Sequence, residues 1–216
     1  MSTSPCVLLI AALSACSGPE VAGRACVVVD IRNPDQCGSG ANVEGLTVVE
    51  LTSGARTTTD AAGEFAIPYD ESTAILRVAE GRTDRRTSLI KVDDASTDVV
   101  APVITELLWN TYMTALGVIE DPTRATIHLA FPPPAAVIAS AGVPGAQILF
   151  NQGEAFTWGS QPPADQTFAL MALGVPVDAG TATITVYSLA DQVIFSAEVP
   201  VEAGAITWVN FERDRD

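Results

Sequence analysis

Histidine and lysine each occur once in this chain, as His128 and Lys91, and the other ten of its 11 basic residues are arginines. A single imidazole excludes a histidine cluster for metal, and no HExxH helix motif is present. A Ser-His-Asp triad would have to use His128, and no G-x-S-x-G elbow accompanies it. Positive charge is scarce as a whole, with 26 acidic residues giving a net charge of −15. Such a surface repels phosphate backbones, which argues against nucleic acid as a partner. Long hydrophobic runs are missing too: beyond the N-terminus none reaches the roughly 18–20 apolar residues of a spanning helix. Cysteine is limited to Cys6, Cys16, Cys26 and Cys37.

What remains is a chain of 216 residues, 48% hydrophobic and 17% charged. That balance excludes a disordered polyelectrolyte and suits a water-soluble globular protein of one large or two small domains.

The N-terminus carries a short apolar core, "CVLLIAAL" (Cys6 to Leu13), of the length of a secretory h-region. "LSAC", Leu13 to Cys16, follows it and resembles the lipobox of bacterial lipoproteins. The resemblance implies that Cys16 receives a diacylglycerol and becomes the mature N-terminus, its thiol serving as nucleophile. It also implies that Ser17, in place of Asp, directs the protein to the outer membrane. The n-region "MSTSP" lacks the Lys or Arg usual in that family. The competing expectation is ordinary cleavage after Ala15 with Cys16 left as an idle thiol.

Cys26 and Cys37 are then left over as a pair. In a secreted chain an even remainder reads as a disulfide. Half of a zinc site is the rival, but His128 is far off in sequence and no further ligand is evident.

From Ala25 onward, short β-rich runs alternate with Gly, Asn, Asp and Pro clusters: "ACVVVDI", "LTVVELT", "EFAIPY", "TAILRVAE" and "RTSLIKV". Strands at this spacing read as a small antiparallel sandwich. Within them "TTTDAAGEFAI" sets Thr59, Asp60, Gly63 and Phe65 in an order that resembles the T-D-x-x-G-x-F signature of carboxypeptidase regulatory-like domains. Those domains are transthyretin-like β-sandwiches, which implies the same fold for about Cys26 to Glu80. The residues suit the role: Asp60 and Gly63 shape a turn, and Phe65 enters the core.

A second cycle follows Pro122, with "ATIHLAF", "AQILF", "TFALMAL", "TATITVY", "VIFSAEV" and "AITWVNF" as strands. It has no T-D-x-x-G-x-F match. Between the cycles, Val103 to Leu116 reads as a helix stopped by Gly117. Its apolar residues cover most of the circumference, so it is expected to be buried between two sandwiches.

The expected fold is therefore mainly β. Residues 1–15 form a signal peptide, 16–24 a tether, 25–97 the first sandwich, 98–121 a helical linker and 122–216 the second sandwich. Several residue groups could carry chemistry. His128 by alternation faces opposite Ile127 and Leu129, and is expected at the surface. "RTDRR" (Arg82 to Arg86) is a basic patch able to grip an anion, or an exposed hairpin tip. "VDDASTD" (Val92 to Asp98) offers carboxylates for calcium, at a spacing that fits no EF-hand. Trp109, Trp158 and Trp208 are candidates for a sugar-stacking platform, or for packing. The longest loop, "PPPAAVIASAGVPG", has no ionisable residue. No cofactor and no enzymatic activity are expected. The reading is a lipid-anchored, non-catalytic structural or binding module of the cell envelope, held to the membrane by its N-terminal lipid and meeting an envelope protein or glycan. The runner-up is a carbohydrate-binding surface lipoprotein.

Overall fold

The computed structural model describes residues 20–38, 42–69, 73–93, 98–131 and 137–210. Cys16 and the rest of the signal region, Asp94 with the remainder of 94–97, and the tail from 211 lie outside them.

Fifteen strands and one helix follow one another along the described chain. The first group is β1 (Glu20–Val27), β2 (Thr47–Glu50), β3 (Arg56–Thr58), β4 (Glu64–Pro68), β5 (Thr73–Val78), β6 (Ser88–Asp93) and β7 (Val99–Val103). The helix α1 (Glu106–Leu116) comes next. The second group is β8 (Ala125–Ala130), β9 (Ser140–Gly142), β10 (Gln147–Asn151), β11 (Trp158–Gly159), β12 (Ala169–Val175), β13 (Thr181–Tyr187), β14 (Val193–Pro200) and β15 (Ile206–Asn210). The protein is mainly β and layered as a β-sandwich.

The layers are not two separate sandwiches. One nine-stranded sheet, in the order β11-β10-β12-β8-β15-β6-β5-β2-β3, runs through both halves. β15 joins them, pairing in parallel with β8 on one side and β6 on the other. One consequence is a row of side chains crossing seven of the nine strands at one register: Glu50, Leu76, Ile90, Trp208, His128, Met171 and Leu149. Because register partners share a face, all seven point the same way.

That face is covered by the sheet β4-β1-β7 and by α1, and a single apolar core there takes residues from both halves. The opposite face, with Ile127, Leu129, Leu170, Ala172 and Phe150, packs on the sheet β14-β13-β9 to make a second core.

Several expected bounds move. β1 begins at Glu20, inside the expected tether, because Val21 and Ala25 enter the first core and pair with β4. β7 occupies the start of the expected linker and pairs in parallel with β1, so the first half is mixed, not purely antiparallel. β9 lies within the stretch read as the longest loop.

The helix begins at Glu106 instead of Val103. Thr105 is the N-cap, its hydroxyl accepting from the Leu108 amide at 3.1 Å, and Gly117 in the left-handed region ends it. It buries only one stripe, Trp109, Tyr112 and Met113, while Leu107 stays 80% exposed. It therefore lies on one face of the central sheet and not between two sandwiches.

Candidate functional site

Cys26 and Cys37 form the expected disulfide. The bond closes a loop whose middle folds inward: Ile31 is buried, and its amide donates to the Tyr112 hydroxyl of α1 at 3.3 Å. Asp30 turns back on Arg32, whose Nε lies 3.0 Å from both carboxylate oxygens, and Arg32 reaches on to the Gly153 carbonyl. Burial alone would raise the Asp30 pKa, but the hydrogen bond from Arg32 and its charge hold it below the ordinary value. Tyr112 also meets Phe156, with ring centroids 4.5 Å apart. The disulfide loop, α1 and the Gly153–Phe156 turn thus form one lid.

His128 lies beneath it, completely buried. The expected surface position is corrected here. The alternation is right, since His128 does point opposite Ile127 and Leu129, but its face is covered by the lid and α1. Among the described residues neither ring nitrogen has a hydrogen-bond partner. Desolvation drives the pKa down to about 3, against weaker opposition from the Ile31 backbone and the Asp30 charge. The ring is neutral at pH 7 and reaches no solvent, so in this conformation it cannot exchange a proton with a substrate.

The tryptophans do not form a platform. Trp109 and Trp208 are buried, and Trp158 is half-buried with its indole N–H donating to the Ala155 carbonyl at 3.0 Å. Trp208 donates to the Ser88 hydroxyl at 3.0 Å, and Trp109 donates to Glu120 at 3.1 Å. Each buried indole thus satisfies its one donor inside the fold, which is how large aromatics are used in cores.

The arginines of "RTDRR" are likewise engaged internally. Arg82 pairs with Asp84, Arg85 donates to the Asn42 carbonyl, and Arg86 bridges Glu106 and Glu120 on either side of α1. Arg86 also lies over the Trp109 ring at 5.8 Å. This node ties the helix to the sheet and leaves no open anion grip. Among the described residues no group of three His, Cys, Asp or Glu side chains is placed to hold a metal.

The T-D-x-x-G-x-F residues build a tight connection between β3 and β4. The buried Thr59 hydroxyl accepts from the Leu46 amide at 2.9 Å and donates to the Val43 carbonyl. Asp60 Oδ1 accepts from the Ala62 and Glu64 amides, each at 2.9 Å. Gly63 has φ +84°, and a Cβ there would sit 2.9 Å from the Ala25 carbonyl oxygen. Phe65 is buried in the first core. These contacts make the motif a folding device.

Sequence reasoning passed over two features. Glu50 is buried and accepts from the Thr52, Ser53 and Ile75 amides, which hold its pKa down although burial opposes them. The β13–β14 hairpin exposes Leu189, Val193 and Ile194 together. The alternation in "VIFSAEV" placed one apolar residue, Ile194, on the polar face, and that was the available signal.

No family model matches the chain, and no curated protein matches it. Among solved structures, two interface mutants of a type II cohesin–X–dockerin complex from Acetivibrio cellulolyticus are similar over 41% of this chain and 57% of theirs. They share 16% and 18% identity, with TM-scores of 0.29 and 0.27. The Bacillus anthracis TIE protein is similar over 91% of this chain but 34% of its own length, at 11% identity and TM-score 0.23. The chain thus spans little more than half of the cohesin-complex chains it matches. Similarities of this size establish no family for it.

Proposed function

We propose that this is an exported, lipid-anchored protein of the cell envelope, directed to the outer membrane by its Ser17 and acting as a non-catalytic structural or binding module.

 The observation that carries it is the Cys26–Cys37 disulfide, since such bonds persist in oxidising compartments outside the cytoplasm. The "LSAC" motif ahead of it supplies the anchor, with Cys16 as the lipidated residue. The resemblance of Thr59 to Phe65 to carboxypeptidase regulatory-like domains supports a presenting or stabilising role. The exposed apolar hairpin of β13 and β14 supports contact with another protein. The buried tryptophans withdraw support from the glycan reading.

Fractionation tests the anchor. The wild-type chain should partition with membranes and carry a diacylglycerol mass on Cys16, whereas Cys16→Ser should be released or stay unprocessed. A wild-type protein found soluble with a free Cys16 thiol would sink the anchor. Turnover by the purified protein on glycan, ester or peptide panels, lost on changing one carboxylate pair, would sink the non-catalytic role.

A further inference from the structure

β14 is an eight-residue edge strand, and among the described residues its only paired neighbour is β13. The direction of its backbone groups follows from the register. The Val201 amide donates to the Gly180 carbonyl just past the Thr181–Pro200 pair. Hydrogen-bonded pairs in an antiparallel ladder alternate, so they fall at Ala182–Val199, Ile184–Ala197 and Val186–Phe195. The N–H and C=O groups of Ser196 and Glu198 therefore point away from β13, and the register shift at Ile194 ends the regular alternation. Pro200 fits this parity: it has no N–H to offer, and its carbonyl accepts from the Thr207 hydroxyl instead of from β13.

Edge strands are commonly blunted by lysine, proline or brevity. The edges β3, β9 and β11 are two or three residues long, β4 ends in Pro68, and β7 contains Pro102. From Ile194 to Glu198 β14 has no proline and no basic residue, and Ile194, Ser196 and Glu198 are exposed. Along this stretch of the chain the charge has one sign, although Glu202 just past β14 is paired with Arg77. Between Arg124 and Arg213 the sequence contains no Lys or Arg but seven carboxylates, among them Asp191 in the hairpin turn and Glu198 on the edge itself.

We propose that the outer edge of β14 is a strand-addition site for an extended, basic segment of a partner protein carrying β-branched residues. Main-chain hydrogen bonds from Ser196 and Glu198 would hold the incoming strand. A lysine or arginine opposite Glu198 and an apolar side chain beside Ile194 would select it. A second copy of this chain is disfavoured at the edge, because each copy carries a net charge of −15. The proposal deepens the binding-module reading and rests on it. Membrane partition through Cys16 is measured separately, so either result can fail while the other stands.

The test uses the full chain with an acetylated, amidated (Lys-Val)4 peptide as probe and (Glu-Val)4 as its acidic counterpart. Binding of the basic peptide should slow hydrogen exchange at the Ser196 and Glu198 amides. Ser196→Pro removes an outward N–H without touching the β13 ladder, and should weaken binding about tenfold or more, the loss of ~1.4 kcal/mol. Glu198→Lys keeps every backbone group in place and should shift preference toward the acidic peptide. Equal affinity for the two peptides, unchanged exchange at the two amides, or concentration-dependent dimerisation through this edge would each overturn the proposal.

Discussion

The imidazole of His128 and the indole of Trp208 lie side by side on β8 and β15, with ring centroids 4.9 Å apart and planes tilted by 53°. Trp208 satisfies its N–H on Ser88, whereas both nitrogens of His128 are buried without a partner among the described residues. This unpaired ring is an acid sensitivity built into the centre of the sheet.

The sign follows from the depressed pKa. Unfolded, His128 takes a proton near pH 6.5; folded, it resists to about 3. The unfolded state therefore binds more protons between those values, and stability contributed by the neutral ring is complete above pH 6.5 and falls as pH drops toward 3. The slope should approach ~1.4 kcal/mol per pH unit. Asp30 is the charged group of the lid that acts on the ring. Asp30 is held below its ordinary pKa, but burial raises that of Asp35 in the same loop, so His128 is isolated by comparison with a variant lacking the imidazole. Urea titrations should show this slope in the wild type and a shallower one in His128→Phe. At pH 7 the Phe variant should be at least as stable, since a buried unpaired polar group costs about 1–3 kcal/mol. An equal pH slope in both proteins would refute the assignment.

Loss of the Cys26–Cys37 bond should loosen the lid. The closed loop spans a sequence separation of 11, for which the chain-entropy model gives a stabilisation of ~3 kcal/mol. Paired substitution to alanine should lower stability by about that amount. It should also speed exchange at the Ile31 amide and expose His128 to diethyl pyrocarbonate. Unchanged His128 reactivity would show that α1 alone seals the ring.

Gly63→Ala should destabilise the first half. The position needs φ +84°, and the added carbon would press on the Ala25 carbonyl and the Val43 side chain. A cost of ~2 kcal/mol or more is expected, above the roughly 1 kcal/mol usual for glycine where φ alone is at issue. Gly54→Ala is the control, because it shares positive φ but has open space around it. Thermal melts showing equal losses in the two variants would remove the packing argument.

The elements that depend on neighbours in sequence were readable in advance. The T-D-x-x-G-x-F turn works through contacts within the chain from Val43 to Phe65, and Gly117 stops the helix locally. The Cys26–Cys37 bond was readable because the cysteines are few. What escaped was set by distant pairing. Nothing near Ile206 announces that β15 inserts in parallel between β8 and β6, so the chain read as two independent sandwiches. The same joint hid the fate of His128. Alternation gives the side to which a strand residue points, but not whether another layer covers that side. The partial exposure of α1 was misjudged for the same reason, since its apolar circumference does not reveal which arc meets the sheet. The β14 edge was legible only in part: the missing basic residues are plain in the sequence, whereas the outward amides require the register.

The placement of β15 also governs the order in which the protein can be completed. It follows every other described strand in the sequence, yet it occupies the middle of the nine-stranded sheet. Until it arrives, β6 and β8 each keep an open edge and the row from Glu50 to Leu149 is broken at Trp208. Neither half can then mature ahead of the other, and assembly waits on contacts between residues far apart along the chain, which is slow. During that wait the two bare edges are targets for aggregation or for a chaperone. The last described strand acts as the keystone of the molecule.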